Sequence, residues 1–179
     1  MIRDTFNLGS NDPITPKQLN YVMASLVPSN YLLQHHRVKG KPVTYSVPNY
    51  DSANALAHRP WQLEPLNDTS RNVVIRKARQ LGFSEVGIAQ LIWFCDVHSS
   101  QNVKALYTFP TYKSLKTFYK TRISPEFESG YYSTLSDDNH MSQEQMSIRN
   151  STLIFRSSSK GSSMEGIDVD FVSLDEYDR

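Results

Sequence analysis

The chain has 179 residues, of which 39% are hydrophobic and 11% aromatic, and its formal net charge is +1. This length predicts one domain with room for an appended arm, and the hydrophobic fraction suffices for a packed core. A net charge so close to zero excludes a global positive field as an argument for nucleic-acid binding. The single cysteine, Cys95, excludes a disulfide or a four-cysteine zinc site within one chain.

The positions and lengths of the apolar runs argue against a secretory signal and against a membrane-spanning segment. The first residues, MIRDTFNLGSND, lack the apolar core of a secretory signal peptide. The longest apolar run, around LIWF, is too short to cross a bilayer. We therefore expect an intracellular protein without a membrane-spanning segment.

Residues 1–54 are predicted to form an irregular or helical N-terminal arm, because turn and breaker signals such as GSNDP, VPSN and KGKP interrupt them repeatedly. The best helix candidate is TPKQLNYVMASLV, in which Thr15 is placed to cap the helix and Pro16 to occupy its first position. The basic cluster HHRVKGK predicts a solvated turn, with contact to DNA or to a partner as the alternative.

From about residue 60 the sequence alternates between strand and helix patterns. Strands are predicted in NVVIRKA, VKALYTF, STLIFRS and VDFVSLDE, and helices in SEVGIAQLIWFCDVH and YKSLKTFYKTRI. Strand, glycine-bearing turn, helix, strand and helix in that order predict an α/β fold with a mostly parallel sheet and crossover helices.

The segment IRKARQLGFSE stands between the first of these strands and the following helix, where a phosphate-binding loop belongs. Compared with the pattern G-x-x-x-x-G-K-[ST], it has Phe83 in place of the lysine and Lys77 in place of the first glycine. Gly82 would let the backbone approach a phosphate, and Lys77 or Arg79 would supply the cation. Ser84 would offer a hydroxyl to Mg²⁺. The alternative is a basic turn that only caps the helix.

The C-terminal segment VDFVSLDEYDR predicts an apolar strand that ends in Asp175 and Glu176. This is the Walker B arrangement, in which one carboxylate holds Mg²⁺ and the next polarises the attacking water. A solvated acidic turn is one alternative. Another is a nuclease metal site built from several carboxylates, although strand alternation places Asp168 and Asp170 on the face opposite Asp175. With Asp178, these four carboxylates would be the metal ligands of such a nuclease.

A third candidate lies upstream, in HRPWQLEPLND. Gln62 follows Trp61, and an aromatic–glutamine pair can stack on an adenine and form hydrogen bonds with it. The alternative is that Trp61 belongs to the core.

Taken in order, Trp61-Gln62, KARQLGFS, LYTFPTYKSLKTFYKTRISP and STLIFRSSSKGSSMEGIDVDFVSLDE resemble the ATPase domain of the large terminase subunits of tailed bacteriophages. The resemblance covers residues 55–179, and the loop is most similar to the lambda-type variant, in which a lysine opens the motif. It implies a P-loop NTPase core of the RecA/ASCE-like type and identifies Lys77 as a displaced phosphate lysine.

The same resemblance implies a role for each site residue. Ser84 and Asp175 would hold Mg²⁺, and Glu176 would activate water. Arg79 would act as a cis-acting arginine finger. The implied ATP-binding residues are Gln62, Lys77, Ala78, Arg79, Gln80, Leu81, Gly82, Phe83 and Ser84.

As a terminase, the protein would hydrolyse ATP to translocate double-stranded DNA into a procapsid in the host cytoplasm. Its implied partners are the terminase small subunit, the portal protein, and the remainder of the large subunit or a second chain, arranged in a homo-oligomeric ring. The family's coupling motif and nuclease domain have no counterpart after Glu176, so we expect this chain to hydrolyse ATP weakly by itself. A split gene, a fragment that works with a second chain, and a truncation all remain open. The alternative functions are another DNA-dependent, helicase-like ATPase and a non-hydrolysing nucleotide-binding assembly module.

Overall fold

The computed structural model describes residues 6–45, 59–136, 142, 144–159 and 166–175. The chain forms two compact units, Met1–Val73 and Val74–Arg179. Residues 55–73, which the sequence analysis placed with the ATPase region, fall in the first unit. Among the residues described, no helix combines the length and the apolar character that crossing a membrane requires.

The first unit is mainly helical. It contains α1 (Pro16–Leu26), α2 (Pro28–His35), β1 (Arg37–Val38), β2 (Lys41–Pro42), a 3-10 turn (Pro60–Gln62) and α3 (Leu63–Asn67).

The predicted cap of α1 is confirmed, and it is a full capping box. The Thr15 hydroxyl accepts from the Gln18 amide at 3.3 Å, and the Gln18 side chain accepts from the Thr15 amide at 2.8 Å. The basic cluster forms a hairpin of β1 with β2, whose two turn residues, Lys39 and Gly40, have φ of 52° and 76°. Two successive positive φ values are typical of a tight hairpin turn.

The second unit alternates helices and strands after its first nine residues. It contains α4 (Phe83–Val97), a 3-10 turn (Ser99–Gln101), β3 (Lys104–Phe109), α5 (Tyr112–Phe118), a π-helical turn (Tyr119–Ile123), α6 (Ser124–Phe127), a 3-10 turn (Tyr132–Thr134), β4 (Gln145–Ile148), β5 (Ser151–Ser157) and β6 (Phe171–Leu174).

The four strands β3 to β6 form one sheet in the order β4-β5-β3-β6. Strand β3 pairs in parallel with both β5 and β6, whereas β4 pairs with β5 antiparallel. Five of the six residues of β3 are buried, as expected for a central strand covered on both faces. The predicted α/β fold with mostly parallel strands is confirmed.

One predicted strand, NVVIRKA, is wrong: residues 73–78 are assigned to no strand. Val74 is 97% exposed, and Val73 and Ile75 are more than 40% exposed. A β-branched run becomes a strand only when a neighbouring backbone accepts and donates its ladder hydrogen bonds. In the described part of the chain, β6 pairs with β3 alone, and no strand pairs with residues 73–78.

Helix α4 packs on the face of the sheet that carries Tyr107 and Ser173. A Cβ built on Gly87 would lie 2.9 Å from Tyr107 Cε2 and 3.0 Å from Ser173 Oγ, so the helix backbone approaches the sheet very closely there. Farther along, the rings of Phe94 and Phe171 are 5.1 Å apart. This packing sets the position of the whole N-terminal turn of α4 against the ends of β3 and β6.

The C-terminal end of α4 is held by a buried carboxylate. Asp96 is 8% exposed and accepts from Arg149 Nε at 2.5 Å and from the Tyr131 hydroxyl at 2.8 Å. The Arg149 and Tyr131 donors satisfy both oxygens of Asp96, which is the condition for burying a charge at low cost. Because its C-terminal end is held in this way, α4 has a fixed direction, and so does its N-terminal turn.

Cys95 should be inert in the folded protein. Burial, followed by the charges of Asp170 and Asp96, raises the pKa of its thiol from 9.0 to about 12. So high a pKa leaves far less thiolate, which is the reactive form, at neutral pH.

We predict that iodoacetamide at pH 8 leaves the native chain unlabelled and labels it once urea unfolds it. Rapid stoichiometric labelling of the native chain would contradict the burial of Cys95.

Candidate functional site

The loop before α4 contains two residues with positive φ, separated by Leu81. Gln80 has φ of 66° and Gly82, the N-cap residue of α4, has φ of 76°. Glycine adopts this conformation freely, whereas a glutamine does so at a cost of about 1–2 kcal/mol. Strained backbone of this kind concentrates at ligand-binding sites. Beyond Gly82, the first turn of α4 presents backbone N–H groups that have no acceptor within the helix.

The shortest contact of the site joins the loop to the end of β6. Ser84 Oγ donates to Asp175 Oδ2 at 2.5 Å, although 91 residues separate the two in sequence. The Asp175 side chain is only 11% exposed. So short an O–H···O distance is typical of a hydroxyl that donates to a charged carboxylate. The structure thus brings together the two residues that the sequence analysis assigned to Mg²⁺.

Lys77 lies on the other oxygen of the same carboxylate. Its Nζ is 3.6 Å from Asp175 Oδ1, and its side chain is 27% exposed. Opposite charges partly sheltered from water attract more strongly than they would on an open surface. The lysine that the resemblance identified as displaced is therefore located at the site.

Tyr107 is a site residue that the sequence analysis missed. Its hydroxyl donates to Asp175 Oδ2 at 3.1 Å and lies 3.3 Å from the backbone oxygen of Ser84. Gly87 was missed as well, although a glycine inside a helix is a recognisable signal of close backbone approach. Tyr107 carried no comparable signal, because a tyrosine in an apolar strand is also an ordinary core residue.

The remaining predicted residues fall into three groups. Ala78, Arg79, Gln80 and Leu81 lie in the loop, where Arg79 is exposed, and Phe83 is half-buried at the first position of α4. Gln62 is 3% exposed in the first unit. Glu176 lies outside the described residues.

The carboxylates proposed for a nuclease lie at opposite ends of β6. The Asp170 side chain accepts from the Lys104 amide at 2.9 Å, at the start of β3, whereas Asp175 follows the end of β6. The four residues of β6 lie between them, and five steps of roughly 3.3 Å each separate them by about 16 Å. Asp178 lies outside the described residues, and those described contain no group of three metal-binding His, Cys, Asp or Glu side chains.

The side chains that meet at Asp175 can be compared with those that a magnesium ion and a nucleotide would require. Mg²⁺ prefers hard oxygen ligands and is usually bound through one or two carboxylates, with water and substrate phosphates completing the shell. The hydroxyl of Ser84 and the carboxylate of Asp175 are in hydrogen-bonding contact, so their oxygens are close enough for one ion to reach both. The helix N-terminus and Lys77 beside them would favour an anion such as a phosphate. The side chains at this site therefore fit both a magnesium ion and a phosphate group.

Comparison of the chain with protein-family models, with curated proteins and with solved structures gave no match. Its functional interpretation consequently depends on the residues and on their geometry.

We predict that the chain does not cleave DNA with Mg²⁺ or Mn²⁺, because the carboxylates around β6 lie at its two opposite ends and cannot share one metal site. Incubation with supercoiled plasmid should leave the plasmid intact. Metal-dependent nicking that disappears in Asp168→Ala would contradict this prediction.

Gly87→Ala should destabilise the second unit, because the new methyl group would overlap Tyr107 and Ser173. Overpacking costs about 1–3 kcal/mol, more than the roughly 1 kcal/mol that alanine gains in helix propensity. Urea unfolding measures the difference, and adding Ser173→Ala should restore part of it by removing one of the two overlaps. A Gly87→Ala chain more stable than wild type would show that the close approach is absent.

Proposed function

We propose that this chain is the ATP-binding and ATP-hydrolysing part of a viral DNA-packaging motor, a terminase large subunit that translocates double-stranded DNA into a procapsid. The observation that carries the proposal is the 2.5 Å contact between Ser84 and Asp175. Two motifs proposed independently from the sequence, one in the loop and one at the end of a strand, share a single site. A basic turn that only caps a helix gives no reason for this contact.

The loop would bind the phosphates with its backbone and with Lys77. Without nucleotide, the Lys77 ammonium and the Asp175 carboxylate neutralise each other at 3.6 Å. A triphosphate offers Lys77 a denser negative charge, so the ammonium would move from Asp175 to the β- and γ-phosphates. That exchange would leave Asp175 Oδ1 available to hold a metal ion.

Ser84 and Asp175 would then hold Mg²⁺ from the protein side. The metal would supply positive charge that offsets the negative charge of the phosphates. The role of the protein is to keep the hydroxyl and the carboxylate in place, so that little reorganisation is needed when the nucleotide binds.

Three further assignments complete the proposal and derive from the resemblance. Glu176 would orient and polarise the attacking water, and Arg79 would stabilise charge on the γ-phosphate. By the same resemblance, Gln62 occupies the position of the family's adenine-contacting glutamine. The finer fold would be a P-loop NTPase core of the RecA/ASCE-like type.

The proposed partners are double-stranded DNA, the terminase small subunit, the portal protein, and the remainder of the large subunit or a second chain. The motor would work as a homo-oligomeric ring on the procapsid portal in the host cytoplasm.

Lys77→Ala should weaken ATP–Mg²⁺ binding about ten- to a hundredfold, because a charge-assisted contact in a sheltered site is worth roughly 1.5–3 kcal/mol. Calorimetric or fluorescence titration of ATP–Mg²⁺ measures the affinity. Arg76→Ala is the matched control, since it removes the same charge from the adjacent loop residue and should change the affinity far less.

Equal affinities of the wild type and Lys77→Ala would falsify the assignment of the displaced lysine. Phosphate release should be measured on the same samples. Tight binding without phosphate release, both in this chain and in one completed by its partner, would favour the non-hydrolysing assembly module.

A further inference from the structure

The hydroxyl of Tyr107 is placed between the two proposed metal-binding segments. It lies 3.1 Å from Asp175 Oδ2 and 3.3 Å from the backbone oxygen of Ser84. Tyr107 belongs to β3, which carries no part of either motif, and it is 1% exposed. One buried hydroxyl thus reaches the first turn of α4 and the end of β6 together.

The ring of Tyr107 is held where its hydroxyl can make these contacts. On one side, it fills the space that Gly87 leaves open, since a Cβ there would be 2.9 Å from Tyr107 Cε2. On another side, the ring of Phe109 lies 4.8 Å away, centroid to centroid. A close-packed ring between a helix backbone and a second ring has little freedom to rotate.

The two oxygens of Asp175 have different partners. Oδ2 accepts from both Ser84 and Tyr107, whereas Oδ1 faces the ammonium of Lys77. A hydroxyl that coordinates a metal through a lone pair can still donate its proton, so the Tyr107 hydrogen bond to Oδ2 is independent of whether Ser84 turns toward a metal. Tyr107 would remain as the neutral donor that fixes the plane of the carboxylate.

We propose that Tyr107 is a positioning residue for the magnesium–nucleotide site, acting through Asp175 to orient the carboxylate toward the metal. The proposal rests on the proposed function, since it assumes that Asp175 binds Mg²⁺ together with ATP. Tyr107 itself touches neither the metal nor the nucleotide. Loss of a hydrogen bond to a metal-binding side chain commonly lowers metal affinity about ten- to a hundredfold.

The test is Tyr107→Phe, which keeps the ring and removes only the hydroxyl. ATP affinity should be measured with Mg²⁺ and again in excess EDTA. We expect the affinity in EDTA to be unchanged within twofold, because Lys77 and the loop backbone still bind the phosphates. The gain in affinity that Mg²⁺ provides should fall about tenfold.

Tyr119→Phe is the matched control, because it removes the same hydroxyl group at a position away from Asp175. The ring of Tyr119 packs against Phe155 on β5. Tyr119→Phe should alter neither affinity. A double mutant of Tyr107→Phe with Asp175→Asn should lose no more of the Mg²⁺-dependent gain than Asp175→Asn loses alone.

A role limited to packing predicts that Tyr107→Phe lowers both affinities equally, in step with a loss of stability against urea, and that outcome would overturn the proposal. An unchanged Mg²⁺ dependence would overturn it as well. In both cases the wild type still binds ATP with Mg²⁺, so the proposed function survives. A wild type that binds no ATP under either condition would instead count against the proposed function and the role of Tyr107 together.

Discussion

The carboxylate of Asp175 is the constraint on which the site depends. A charge that is 11% exposed must be compensated, and Ser84, Tyr107 and Lys77 do so from three different parts of the chain. The loop and the start of α4 are thereby fixed to the ends of β3 and β6. The groups that compensate the buried carboxylate are a hydroxyl and an ammonium. Together with the carboxylate, they are also the groups that a ligand would meet.

Close packing makes this arrangement possible. Because Gly87 has no side chain, α4 approaches the sheet until the Tyr107 hydroxyl reaches both Ser84 and Asp175. At its other end, α4 is held by Asp96, which accepts from Arg149 and Tyr131. A helix fixed at both ends keeps its N-terminal turn in register with the carboxyl edge of the sheet, where ligands bind in open α/β folds.

Local pattern was enough to predict most elements of the second unit, because α4, β3, β5 and β6 each carry a clear hydrophobic period. It failed at residues 73–78, since whether a β-branched run pairs depends on a neighbouring strand that local sequence does not specify. The loop and strand-end patterns singled out Ser84 and Asp175, the family resemblance singled out Lys77, and the structure brings the three side chains together. Tyr107 was not, because its role appears only when β3 is known to lie beside β6 and beneath α4.

The central claim is that Ser84 and Asp175 share one metal–nucleotide site, and paramagnetic NMR tests it most directly. Mn²⁺ added with ATP in place of Mg²⁺ broadens amide signals steeply with distance from the metal. The account predicts selective broadening at Gly82, Ser84 and Asp175, with much weaker effects at Asp170, about 16 Å away at the other end of β6. Broadening centred on Asp170, or none that depends on ATP, would contradict it.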